Sequence, residues 1–148
     1  MKKNTVFLLV MVFLLVSAHQ AEADPSLAVR QADSLWDLRH EEEAVQISMA
    51  ILEEALNQGE DAELLWRLAR CHFWLGEREA ANRDEKLDHF YAGRDHAEMA
   101  AELDPGCIDS HYWHAVLIGK VGETRGILQS LFMVRPMHDA LEKALELD

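Results

Sequence analysis

From residue 25 onward the apolar side chains recur every three or four positions, and the period-two alternation of a half-buried strand is nearly absent. Proline occurs only at 25, 105 and 136, glycine is confined to turn-like places, and Ala, Leu and Glu fill the segments between. These are strong helix formers, so the pattern predicts helices throughout. Asp24-Pro25 reads as an N-cap with proline at the first helical position, opening a helix over 25–38. A second is expected over 41–57, with Ala44, Ile47, Ile51 and Ala55 on one face and Gly59 beyond its end. Further helices are expected over 63–75, 88–103, 109–121 and 124–134, and a last one from Pro136 to the end. The polar stretch 77–87 reads as a helical extension or an exposed loop.

The pattern repeats. Residues 97–104 read AEMAAELD and residues 140–148 read ALEKALELD. Ala55, Ala100 and Ala144 fall at corresponding points, 45 and 44 residues apart. The unit is two antiparallel helices, and such units stack because neither helix buries its apolar face alone. The fold class expected is therefore all-α, a helical-repeat solenoid of about three lengthened helix pairs. Met137, Leu141 and Leu145 lie on one face of the last helix, so either the 124–134 segment shields them or a capping helix is lacking.

Residues 1–23 carry a different message. Lys2 and Lys3 precede eleven unbroken apolar residues at 6–16 and then Ala21-Glu22-Ala23. That is the order of a secretory signal peptide, with cleavage expected before Asp24. Eleven residues rise only about 17 Å as a helix, against a bilayer core of about 30 Å, so a retained N-terminal anchor is the alternative. Export, to a bacterial periplasm, is the expectation, and the mature form, residues 24–148, is read as one domain that does not span a membrane. It keeps 12 basic and 26 acidic side chains, a formal charge of −14. Such a surface repels nucleic acid. Cys71 and Cys107 are too few for a disulfide framework and read as buried, reduced thiols.

The second unit names a resemblance. LLWRLARCHFWLGE (64–77) followed by HFYAGRDHAEMAAELDP (89–105) resembles the tetratricopeptide repeat. Leu68-Ala69 stand at its helix A pair, Gly76 at its turn, Gly93 and Ala100 at the small positions of helix B, and Pro105 at its close. Residues 111–148, with their G-x-x-x-G-I-L stretch before the final helix, look similar to the tetratricopeptide-like domain of the regulator of microtubule dynamics family and its bacterial relatives. The periplasmic T component of TRAP transporters is a second helical-repeat relative in style, although its lipobox cysteine is missing here.

The resemblance implies a binding groove on the A helices. Carried over position by position, its residues are Glu63, Trp66, Arg70, Phe73 and Trp74, then Asp109, Tyr112, Val116 and Lys120. A one-residue shift of register would exchange Tyr112 for Trp113. Aromatic rings beside an arginine suit an extended peptide. The function implied is non-catalytic, a scaffold binding a partner protein or peptide, with a small-ligand accessory of a transport system as the alternative and end-to-end self-association as a further option. Cys107, His111 and His114 share a helix face and form a weak metal candidate, one ligand short of a structural zinc site. No cofactor is expected, and no catalytic motif is found.

Overall fold

The computed structural model describes residues 25–148, so the segment 1–23 and its cleavage site lie outside the described residues. Among those described there are six helices and no strand: α1 (Pro25–Asp37), α2 (Ala44–Leu56), α3 (Ala62–Arg78), α4 (Arg83–Leu103), α5 (Ile108–Arg125) and α6 (Ile127–Leu147). The fold is all-α and repetitive. Two starts are set by side-chain caps: Asp61 accepts from the backbone N–H groups of Glu63 and Leu64, and Asn82 from those of Asp84 and Glu85. The polar stretch 77–87 divides between the end of α3, a short turn and the first residues of α4.

Short connections make each successive pair antiparallel, α1 with α2, α3 with α4, and α5 with α6. Ala55, Ala100 and Ala144 are all buried, in the last turn of the second helix in each pair. One apolar cluster joins α1, α2 and α3 through Ala32, Val45, Leu52, Leu64, Leu68 and Cys71. Another joins α3, α4 and α5 through Ala69, Phe90, Ala97, Leu117 and Val121. The helix between them, α3, is buried along every residue from Leu64 to Cys71. A helix enclosed on all sides is a central one.

The first helices of the pairs meet along the stack, α1 against α3 and α3 against α5, whereas α2, α4 and α6 do not meet one another. The stack therefore curves with α1, α3 and α5 on its inner side. This places the A-helix face on the short side of the arc.

One expected boundary fails. Residues 124–134 and the segment from Pro136 form one helix, α6, which contains Pro136 and follows the single linking residue Gly126 at φ 107°. A proline here removes one N–H, an interior cost of about 3 kcal/mol. Packing outweighs it. A side chain added at Gly122 would meet Met133, and one added at Gly119 would meet Met137, so both halves of α6 lie against α5 and nothing turns the chain at Pro136. The 126–134 segment consequently does not fold back over the end. Leu141 and Leu145 stay exposed on α6, and Leu131 and Phe132 with them.

Candidate functional site

The inner face carries a strip of rings drawn from all three pairs. Trp36 stands near the end of α1, Phe73 and Trp74 in the last turns of α3, and Tyr112 and Trp113 in the first half of α5. Trp36 meets Trp74 edge-on at 5.8 Å between ring centroids and Trp113 at 6.4 Å. Phe73 lies 5.4 Å and Tyr112 5.3 Å from Trp113, and His40 sits 4.9 Å from Trp74. The three Trp rings are half-buried and Tyr112 is 46% exposed, so the strip is neither core nor bare surface.

Guanidinium groups lie on these rings. Arg70 is 4.3 Å from the centre of Trp36 and 5.1 Å from Trp66. Arg39 lies 5.1 Å from Trp36 and 5.5 Å from Trp74, and Arg78 is 5.3 Å from Trp74. Each such stack contributes about 0.5–1 kcal/mol where exposed and more when desolvated.

Beneath the strip sits an ion cluster. Asp33 of α1 accepts from Arg67 Nε at 2.9 Å and Nη2 at 2.7 Å, and from Arg70 Nη2 at 2.9 Å. Arg67 also donates to the Glu63 carboxylate at 2.6 Å. Burial pushes the Asp33 carboxyl up, but the hydrogen bonds from Arg67 and Arg70 outweigh it and hold the group below the usual carboxylate range. Burial opposes the charge of Arg67 as well, but its bonds to Asp33 and Glu63 exceed that cost and raise its pKa. Arg70 is pushed the other way by burial, against its single bond to Asp33. It stays charged, as arginine does in proteins. Its Nε and the Trp66 Nε1 are buried and make no hydrogen bond.

The residues carried over from the tetratricopeptide pattern divide into two groups. Trp66, Arg70, Phe73, Trp74 and Tyr112 belong to the strip or its floor, with Trp66 only 6% exposed beneath Arg67 at 4.0 Å. Glu63 is exposed and tied to Arg67, and Asp109 is exposed in the first turn of α5. Val116 is half-buried on α5 without a place among the ring contacts. Lys120 bridges Glu77 at 3.3 Å and Glu123 at 3.0 Å. Both Tyr112 and Trp113 enter the strip, so the two registers were not exclusive.

Sequence reasoning missed Asp33, Trp36, Arg39, His40, Arg67 and Arg78. A signal existed: Trp36-x-x-Arg39 and Trp74-x-x-x-Arg78 each put an arginine one helical turn after a tryptophan, a spacing at which side chains meet.

The metal candidate does not assemble. His111 Nε2 lies 3.0 Å from the carbonyl oxygen of Pro105. Among the described residues, the group of three with ligand atoms within 4.8 Å of one another is His138, Asp139 and Glu142, all exposed on α6. Cys71 is buried, with its Sγ 3.7 Å from Ser48 Oγ, and burial raises its thiol pKa. Cys107 is half-buried, so only one of the two thiols is fully enclosed.

Fold and strip together define an all-α helical-repeat protein with a candidate contact face on its inner helices. Residues 28–148 match the family described as regulator of microtubule dynamics protein 1-3, and the chain belongs to that family. Regulator of microtubule dynamics protein 1 of Bos taurus is 32% identical over 120 residues, covering 81% of this chain and 36% of its own length. Regulator of microtubule dynamics protein 3 of Rattus norvegicus is 30% identical over 126 residues, covering 84% of this chain and 26% of its own. The protein 3 of Xenopus laevis is 25% identical over 132 residues, covering 89% and 28%. The chain thus spans about a third or less of the length of these relatives.

This membership corrects the expectation of a bacterial periplasmic protein, and with it the transport-accessory alternative. The relatives are animal proteins named for microtubule dynamics. The export reading rested on a basic, apolar and small-residue order in a short segment, a pattern of low specificity. Among the described residues, no helix is long and apolar enough to cross a membrane.

Proposed function

We propose that this chain is a non-catalytic binding domain whose A-helix face holds an extended segment of a partner protein. In this reading the three helix pairs form a tetratricopeptide-like array, and the strip is the floor of its groove. One observation carries the proposal: half-buried aromatic rings run without a break from Trp74 through Trp36 to Trp113, across three helices of three successive pairs. Core packing alone would have enclosed those rings. Amphipathic rings at the edge of solvent are what dominate binding energy at protein interfaces. The relatives' name makes a protein of the microtubule system the first partner class to try.

The test is selection of peptides from a display library on the full chain, followed by binding measurements. Trp74→Ala and Trp113→Ala are expected to weaken the selected peptides tenfold or more. Met99→Ala, an exposed change on α4, should leave them unaffected. Peptides that bind both tryptophan variants as well as the parent would place the site elsewhere and end this reading.

A further inference from the structure

The aromatic strip holds an excess of positive charge inside an acidic protein. The full chain has 27 acidic and 14 basic side chains. Yet the groups lying on Trp36 and Trp74 are the guanidiniums of Arg39, Arg70 and Arg78, and among the described residues Asp33 is the one carboxylate bonded to any of them. Asp33 is itself shared with Arg67. Among the described residues, Arg39 donates only to the carbonyl oxygen of Trp36, three residues back in its own chain. Among the described residues, Arg78 touches the Trp74 ring and joins no ion pair. A guanidinium lying against an indole keeps the N–H groups at its edge free, in the fork that matches a carboxylate.

We propose that the strip selects an acidic segment of its partner protein. Side-chain carboxylates of that segment bond to Arg39 and Arg78, and an apolar or aromatic side chain beside them rests on Trp74, Tyr112 and Trp113. The inference rests on the peptide-binding reading above and adds the class of peptide. The arrangement favours a narrow chain over a flat anionic surface. The arginines lie along the inner side of the arc, separated by rings, while the protein as a whole is strongly negative and is repelled by an extended polyanion. Arg70 lies beneath them, paired with Asp33, so that carboxylate is already engaged and does not offset Arg39 or Arg78.

The experiment compares three labelled peptides of equal length and equal aromatic content on the full chain. One carries Asp and Glu, one Asn and Gln, one Lys. The acidic peptide is expected to bind about tenfold or more tighter than the uncharged one, a margin that shrinks as salt screens the charges, and the basic peptide least of all. Arg39→Gln with Arg78→Gln should abolish the margin between the acidic and uncharged peptides, with helicity confirming the fold. Arg78→Glu alone, at an exposed position, should shift the ranking the same way. Equal binding of acidic and uncharged peptides would overturn the acidic class and leave the groove standing. Binding of no peptide would overturn the groove itself. Capture of phosphatidylserine vesicles but not phosphatidylcholine ones, lost in the double variant and with no peptide preference, would overturn the proposal in favour of a membrane surface.

Discussion

His72 has surroundings that oppose its ordinary chemistry. It is packed between α3 and α4, its Nδ1 3.1 Å from His89 Nδ1 and its ring stacked on His96 at 5.5 Å. One of the two Nδ1 atoms must carry the proton that the other accepts. Burial, then the neighbouring His96 and His89, lower the His72 pKa to about 4. Burial lowers His96 as well, against Asp95 and Glu53, which favour its charged form. The linkage has a definite sign. Below its unfolded value of 6.5 the unfolded chain binds the proton that the folded chain refuses, so stability falls as pH drops from about 6.5 to about 4. The loss attributable to His72 is on the order of 2–3 kcal/mol. Asp33 and Glu77, whose ion pairs outweigh burial, lose their contributions only in the more acid range. Denaturant unfolding at pH 7 and pH 5 should therefore show a clear drop for the parent and a smaller one for His72→Gln; equal drops would mean the histidine does not titrate as described. None of this could be read from the sequence, because His72, His89 and His96 become neighbours only when α3 lies on α4.

The contact between those two helices depends on one small residue. Gly93 faces α3 so closely that an added methyl would stand 2.9 Å from the His72 Cβ and 3.1 Å from the Ala69 carbonyl oxygen. An exposed Gly→Ala change inside a helix is worth up to about 1 kcal/mol of added stability. Here the neighbours are backbone and the root of a buried side chain, and neither can move without parting the helices. Gly93→Ala is expected to cost about 1–3 kcal/mol, whereas Gly59→Ala, with nothing within 4 Å, should be near neutral. Thermal unfolding of the two variants checks this, and a Gly93→Ala protein as stable as the parent would refute the packing argument. At this scale the sequence was informative. Gly93, Ala100 and Gly76 stood out as small positions, and five helices lie where periodicity put them, with shifted ends. The α5–α6 region was misread because a proline and a preceding apolar run look like a break. That signal is local, and it was overruled by the contacts of Met133 and Met137 with α5.

The molecule as a whole is held by something no repeat pattern announces. In a stack of helix pairs, each unit contacts only its neighbours, and stability is close to a sum over units and their interfaces. Trp36 departs from that rule: from the first pair it reaches Trp74 in the second and Trp113 in the third. The repeat itself was legible, since Ala55, Ala100 and Ala144 recur at near-constant spacing. Curvature was not, because it depends on the angles between helices, and Trp36 lies in the unit where the pattern is faintest. A ring that spans the arc ties the three pairs into one cooperative body. For the parent, urea unfolding followed by far-UV circular dichroism and by tryptophan fluorescence is expected to give coincident curves. In Trp36→Ala the first pair loses its link to the third, so the helical signal should begin to fall before the fluorescence of Trp66, Trp74 and Trp113 changes. Trp36→Phe, which keeps a ring in place, should restore most of the coincidence. If Trp36→Ala merely lowers the midpoint and both probes still move together, the span is a local contact and the three pairs are coupled through their interfaces alone.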